Sequence, residues 1–453
     1  MSIEEARIAQ ALGNGVSLAV ARNGNKYSVA YAAEGDHAKI AVSARNPDRQ
    51  ATLLEVVSKG HGRVEPLCPL YFRPGREKWC GGCDMQHLSY QAQLHAKQTS
   101  LETLLRTCRA TARIKAEPIT PSPQQWRYRN KVQVPFARRG GRYEAGFYHP
   151  GTHDVVDFQD CPVQPELSTK IILDIKKTAR EHRWPIYDEE LNTGWLRHAL
   201  VRTNVRGEAM VSLVAAKAPQ RWIRAWAEEF QKTFPQVKSL YLNTQPGRTS
   251  VILGKKWERL AGATTITETI CGLDFMLYPG SFLQVNTPAA ELLYRTAASF
   301  LRGGLKTPDF YDLYCGTGTI TLIASRLFRN AVGIEENKGA VACAWKNAER
   351  NRIGNARFFS GKAEELFNSS RINRPCSVLV DPPRTGCDKS LLLKLKHPHV
   401  KKLVYISCNP QTFVRDADIL AMEGFELKRL RPADLFPQTS HIELAALFER
   451  SRE

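Results

Sequence analysis

From about Cys271 to the C-terminus, short apolar runs alternate with stretches of helical periodicity. The runs 310–314, 331–334, 356–360, 377–380 and 403–406 are rich in β-branched and aromatic residues, as buried parallel strands are. Between them, 320–327, 338–350, 390–395 and 411–421 repeat their apolar positions at helical spacing. That alternation predicts a doubly wound, Rossmann-like α/β domain over 268–453, closed by a strand pair at 426–434 and 443–448.

The pattern upstream differs. Short strand candidates at 16–20, 26–32, 38–42 and 52–57 are separated by Gly, Asn and Asp turns, which predicts a small β module over 1–65. Lys26, Lys39, Arg45, Arg49, Lys59, His61 and Arg63 are scattered through it. A basic barrel gripping an RNA backbone reads this way, and so does a β domain without that role. An α+β region then spans 66–267. It holds a helix at 91–109, a basic and aromatic strand at 125–135, a hairpin turn at 139–142 and a helix at 165–182. An antiparallel pair (196–203, 209–215), a helix (221–234) and strands at 239–244 and 250–253 complete it. Helix 91–109 is expected to pack on the α/β domain. Trp126, Arg127, Tyr128, Arg129 and Lys131 suit stacking on bases and gripping phosphates, or a solvated edge strand.

Charge changes this picture more than composition does. The 453 residues carry a formal net charge of +19, and such a field favours a polyanionic partner, nucleic acid first. A basic enzyme with no such partner is the alternative. No apolar run approaches the ~18 residues of a membrane span. The N-terminal residues lack the basic start and apolar core of an export signal, so a cytoplasmic protein is expected. Eleven cysteines then imply reduced thiols, metal ligands or catalysis instead of disulfides.

Four strand ends carry the candidate chemistry. Cys408 ends the run 403–406 and precedes Asn409-Pro410, an N-cap and first helical residue. A cysteine between strand and helix sits where open α/β sheets bind ligands, and the helix amides there favour a thiolate. Asp312-Leu313-Tyr314-Cys315-Gly316-Thr317-Gly318-Thr319 follows another strand, and its glycines permit a tight turn close to a ligand. Glu335 ends the next strand, where an acid binds ribose hydroxyls. Asp381-Pro382-Pro383-Arg384 supplies an acid and a stiff wall at a fourth strand end. An ordinary strand–helix turn is the alternative for each. Cys68, Cys80, Cys83 and Cys161 form a separate set, suited to structural zinc or to an iron–sulfur cluster.

From Cys68 to Phe448 the chain resembles the S-adenosylmethionine-dependent RNA uracil-5-methyltransferases. The resemblance is carried by Cys80-Gly81-Gly82-Cys83 with Gln86-His87, Gln284-Val285-Asn286, 312–319, Asp381-Pro382-Pro383-Arg384, Ser407-Cys408-Asn409-Pro410 and His441-Ile442-Glu443. The cysteines match the branch with a [4Fe–4S] cluster typified by 23S rRNA enzymes, whose RNA-binding TRAM domain occupies the place of module 1–65. The resemblance implies S-adenosylmethionine contacts from Gln284, Tyr314, Thr319, Glu335 and Asp381. It implies Cys408 as nucleophile and Glu443 as base, with Cys68, Cys80, Cys83 and Cys161 as cluster ligands. An insert with Arg73, Arg76 and Lys78 lengthens the Cys68–Cys80 spacing. Lys362 stands where an acid or amide is common, and Thr319 where some members have Asn. His441 is an alternative base. Phe282, Phe436 and Tyr278 are candidates for stacking on a flipped uracil or for core packing. A tRNA substrate, a cytosine substrate and a non-catalytic RNA-binding or assembly factor are the rival readings. Cytosine enzymes typically carry the nucleophile after a proline, whereas Cys408 follows Ser407.

Overall fold

The computed structural model describes all residues except Met1, Asn14, 44–48, 218, 220–221, 303–307, 368–371 and 451–453. Arg45 and the first residue of the expected helix 221–234 lie outside the described residues.

Five strands close into an N-terminal barrel: β1 (Ser2–Gly13), β2 (Val16–Ala21), β3 (Lys26–Ala30), β4 (His37–Val42) and β5 (Gln50–Ser58), in the order β1-β2-β3-β5-β4. β1 is absent from the sequence expectation for a physical reason. Only Ala6 and Ile8 of its side chains are fully buried, so its apolar alternation is faint. Antiparallel pairing of β1 with β4 closes the barrel and removes a free edge. Two expected basic contacts are already engaged. Arg63 forms an ion pair of 2.6 Å with Asp36, whose side chain is fully buried, and Lys39 pairs with Glu55.

The first helix, α1 (Tyr90–Leu105), is capped by Ser89, whose Oγ accepts from Ala92 N at 3.3 Å. Its Leu101 and Leu105 enter the same core as Val378 and Leu403 of the C-terminal sheet. A mixed sheet follows: β6 (Lys131–Arg139), β7 (Arg142–Tyr148), β8 (Val155–Asp157), β9 (Leu196–Thr203), β10 (Ala209–Ala215), β11 (Val237–Thr244) and β12 (Lys256–Gly262). The order is β12-β11-β10-β9-β6-β7-β8, with only β10 and β11 parallel. Helices α2 (Glu166–Glu181) and α3 (Trp222–Thr233) press Ile171, Ile175, Ala227 and Phe230 into its core. Two strand expectations are corrected. Residues 250–253 are not a strand, because the Asn243 side chain takes both backbone groups of Gly254 (2.7 and 2.9 Å) before β12 begins. Residues 125–130 are irregular, because Arg127 N and Arg129 N donate to Pro162 O and Val163 O instead of to a strand.

The hairpin β13 (Ile266–Ile270) and β14 (Leu273–Leu277) leads into α4 (Thr287–Arg302). A boundary at 267/268 would cut β13, whose Ile266 and Ile270 share a core with Phe310 and Val404 of the C-terminal sheet. The remainder is β15 (Asp309–Leu313), α5 (Thr319–Ser325), β16 (Asn330–Glu335), α6 (Lys338–Arg350), β17 (Ala356–Ser360), α7 (Ala363–Leu366), β18 (Cys376–Val380), α8 (Lys389–Lys394), β19 (Val400–Ser407), α9 (Pro410–Met422), β20 (Phe425–Ala433) and β21 (Glu443–Arg450). The sheet order β17-β16-β15-β18-β19-β21-β20 is parallel from β17 to β19 and antiparallel at the closing pair. This is the expected doubly wound domain. Its order reverses between β15 and β18, and ligands bind at such a switch, at the carboxyl ends of the strands. Among the described residues no helix is long and apolar enough to cross a membrane.

Candidate active site

The topology gathers the candidate residues at one sheet edge. Cys408 follows Ser407, the last residue of β19. β21 runs antiparallel beside it with Leu444 opposite Ser407. Glu443, the first residue of β21, therefore meets Cys408 at the carboxyl edge although it starts its own strand. Asn409 caps α9: its Oδ1 accepts from Gln411 N at 3.1 Å, and its Nδ2 donates to Arg384 O at 3.0 Å. The nucleophile turn is thereby tied to the Asp381-Pro382-Pro383-Arg384 wall.

The turn after β15 is held in left-handed backbone. Tyr314 has φ 83°, Gly316 56° and Gly318 81°. A Cβ on Gly318 would lie 3.0 Å from Ala344 Cβ and from the Phe358 ring, so a side chain there would press on α6 and β17 as well as strain a left-handed backbone. Glu335 braces the turn: its Oε2 accepts from Gly316 N at 3.1 Å and its Oε1 from Asn337 N at 2.8 Å. Asp312 accepts from Thr321 Oγ1 at 2.6 Å through Oδ2, while its buried Oδ1 has no partner.

A cavity of about 1130 Å³ opens along this edge. All seven residues expected to bind S-adenosylmethionine or to catalyse line it: Gln284, Tyr314, Thr319, Glu335, Asp381, Cys408 and Glu443. Asp312, Arg129, Arg384 and His441 line it too. Burial pushes the Asp312 and Asp381 carboxyls up to about 7. Burial, then the neighbouring Asp381, holds Glu443 well above the usual carboxylate range, and its buried Oε2 has no partner. Cys408 differs from expectation. Its thiol is pushed up to about 11, by burial first and then by Glu443 and Asp381. Arg384 opposes that rise, but the two acids and the loss of water outweigh it and the helix terminus. An acidic cavity of this kind favours a cationic ligand, whose charge would stabilise the ionised forms around it.

Phe282 is 68% exposed, so it stands at the cavity as a free ring and not in the core. Phe436 packs edge-on against His441, and Tyr278 OH accepts from Lys346 Nζ at 2.9 Å. Of the residues in 126–131 weighed for RNA contact, Arg129 reaches the cavity. Arg127 is bound to Asp160 and to the carbonyls of Cys161 and Gln164, and Tyr128 is buried with its OH donating to Pro437 O at 2.9 Å. Lys131 is pulled down to about 7 by burial and by Arg202. Arg384 is the site cation that the sequence reading quoted only as part of a turn. Its Nη2 stands 3.3 Å from His441 Nε2, a contact 57 residues apart that no spacing signals.

Cys68, Cys80, Cys83 and Cys161 are free thiols, mutually within electrostatic reach, and burial raises all four, Cys80 to about 12. Among the described residues no three Cys, His or acidic side chains converge as the donors of a single metal ion.

Comparison with known proteins agrees with this geometry. Residues 89–451 match the model of the tRNA (uracil-5-)-methyltransferase family. An uncharacterized RNA methyltransferase of Halalkalibacterium halodurans is 36% identical over 88% of this chain and 86% of its own. Another from Nostoc is also 36% identical, over 86% of each chain. The crystal structure of Pyrococcus abyssi tRNA (uracil-54, C5)-methyltransferase in complex with S-adenosyl-L-homocysteine superposes with a TM-score of 0.77. It is 25% identical and covers 98% of this chain and 99% of its own. The chain belongs to the tRNA (uracil-5-)-methyltransferase family and is an S-adenosylmethionine-dependent RNA methyltransferase.

Proposed function

We propose that the chain methylates carbon 5 of one uridine in RNA, a site in 23S rRNA, through a covalent adduct on Cys408. The observation that carries this reading is the placement of Cys408 and Glu443 on adjacent strand ends inside one acidic cavity. Carbon 5 of uracil is a weak nucleophile. Attack of the Cys408 thiolate on carbon 6 forms a C–S bond and moves the ring electrons into an enolate. Carbon 5 then takes the methyl group from the sulfonium, which leaves as a neutral thioether. Glu443 accepts the carbon 5 proton, the C–S bond breaks, and the 5,6 double bond is restored. Before attack the Cys408 thiol gives its proton to water, and Glu443 must be a carboxylate to take the carbon 5 proton. Both lean toward the protonated form in the free cavity, and the sulfonium of a bound donor favours the ionised forms that the cycle uses. Glu335 is assigned to the ribose hydroxyls of the methyl donor. Gln284, Tyr314, Thr319 and Asp381 are assigned to the rest of it. The target uracil leaves its stack to enter, and Phe282 at the cavity offers it a ring.

The four-cysteine set is assigned to a [4Fe–4S] cluster: four soft thiol donors, Cys68 buried and Cys80, Cys83 and Cys161 partly buried, none of them in a disulfide. Bound there, such a cluster would crosslink the segment 68–83 to Cys161. The barrel and the region 66–267 are assigned to holding RNA. A tRNA substrate is the second reading, favoured by the likeness to the P. abyssi tRNA (uracil-54, C5)-methyltransferase. Purified enzyme is offered labelled S-adenosylmethionine with rRNA or tRNA from a strain lacking the gene. Label at carbon 5 of one rRNA uridine, lost with Cys408→Ala, is expected. Label confined to tRNA overturns the substrate, and label retained by Cys408→Ala overturns the mechanism.

A further inference from the structure

The loop 434–442 joins β20 to β21. It brings Phe436 and His441 to the cavity and leads directly into Glu443. Its shape is imposed from outside. Gln438 is 3% exposed and holds φ 71°, a left-handed conformation that residues with side chains seldom adopt. Its N–H donates to Gln93 Oε1 at 2.9 Å, and its side-chain Oε1 accepts from Gln93 Nε2 at 3.0 Å. Its carbonyl accepts from Asp84 N at 3.2 Å and Met85 N at 3.0 Å. Backbone strain of this kind persists only where surrounding contacts over-determine it.

Asp84 makes the second half of the clamp. Its Oδ1 accepts from Ser440 N at 2.7 Å and its Oδ2 from Ser440 Oγ at 2.6 Å. The barrel seats against the same group: a Cβ on Gly15 would lie 2.8 Å from Asp84 Oδ2. Asp84 does not line the large cavity and follows Cys83 directly. One carboxylate therefore joins the cysteine segment, the β1–β2 turn and the entry to β21.

We propose that Asp84 is a positioning residue for the final proton transfer, holding Ser440 so that β21 presents Glu443 to the methylated adduct. This rests on the reading of Glu443 as base. Attack by Cys408 depends on β19, and donor binding on the turn after β15, and Asp84 makes none of its hydrogen bonds to either. Loss of Asp84 therefore slows release of the adduct more than its formation.

The test compares wild type, Asp84→Ala, Asp84→Asn, Ser440→Ala and Glu443→Gln on rRNA purified from a strain lacking the gene. Methyl-labelled S-adenosylmethionine is supplied, and labelled protein–RNA adduct is read on denaturing gels. Asp84→Ala is expected to lose roughly 10- to 100-fold in kcat, the effect of an ångström-scale misplacement. KM for S-adenosylmethionine stays unchanged, and labelled adduct accumulates as in Glu443→Gln. Asp84→Asn, which keeps an acceptor for Ser440 N–H, recovers part of the rate. Ser440→Ala, which removes one donor and no charge, shows the same adduct to a smaller extent and carries the test if Asp84→Ala fails to fold. Normal turnover in Asp84→Ala overturns the proposal. So does loss of S-adenosylhomocysteine binding together with a lowered melting temperature. Adduct in Glu443→Gln but in neither Asp84→Ala nor Ser440→Ala overturns it alone. No adduct in Glu443→Gln overturns the base reading and the proposal with it.

Discussion

Asp312→Asn removes a charge that the free enzyme holds at a cost. Asp312 is 1% exposed, one oxygen is unpartnered, and its carboxyl is pushed from 3.8 up to about 7. Burial is the main cause, the Thr321 hydrogen bond opposes it, and the charges of Asp381 and Glu335 add to it. A folded pKa above the unfolded one favours the protonated form. Its contribution is fully present below about 4 and is lost as pH rises through about 7. The interval is worth roughly 4 kcal/mol at pH 8, an upper bound because cavity water screens part of it. Asparagine keeps the acceptor for Thr321 Oγ1 and carries no charge. Urea unfolding of Asp312→Asn and wild type at pH 8 is expected to show a gain of about 2–4 kcal/mol in the variant, shrinking toward zero near pH 4.5. The same variant should bind S-adenosylmethionine less tightly, because the cavity loses part of its attraction for a sulfonium. A variant less stable than wild type at pH 8, or an equal gain at both pH values, would refute the assignment of the cost to a buried carboxylate.

Two further outcomes follow from other buried groups. Lys97 of α1 reaches Asp434 Oδ1 at 2.6 Å and Phe436 O at 3.2 Å, with side-chain exposures of 1% and 0% in the ion pair. Lys97→Met strands Asp434 in the interior and is expected to cost about 3–5 kcal/mol in urea unfolding, whereas a loss under ~1 kcal/mol would mean that water already reaches the pair. In the free enzyme, alkylation of Cys408 by iodoacetamide, followed on its own peptide by mass spectrometry, should climb from pH 7 to pH 10 without a plateau; a plateau below pH 8 would show a thiolate already present.

The central strands β18 and β19 were legible because each is a short, largely apolar run buried on both faces. Ser377 to Val380 and Leu403 to Ile406 are 0% exposed throughout. The site was legible because a doubly wound sheet converts position at a strand end into position at the ligand edge. Elements with little apolar periodicity were not legible. β1 buries only two side chains fully. The opposite miss is the apolar run 251–253, which lies in a loop because Asn243 takes the backbone groups of Gly254. Contacts made across sequence were invisible for the same reason. Nothing in Gln438 announces a positive φ, because Gln93 and Asp84, more than 340 positions away, impose it. The helix terminus behind Cys408 was read correctly as structure and wrongly as electrostatics. Only the folded sheet shows that Glu443 and Asp381 face the same thiol.

The sign of charge on the two scales of the molecule differs, and that difference bears on how a base is chosen. The chain as a whole carries +19, which draws an RNA backbone from a distance. The reacting edge inside the cavity carries Asp312, Glu335, Asp381 and Glu443 against Arg384 and Arg129. Phosphodiesters are held off by those acids, while a neutral uracil enters without electrostatic penalty and a sulfonium enters with gain. The surface therefore draws the polymer, and the edge favours its uncharged bases over its phosphates. Burial and the neighbouring acids hold the Cys408 thiol and the Glu443 carboxyl toward their protonated forms, and a cation sharing the cavity would favour the ionised forms of both.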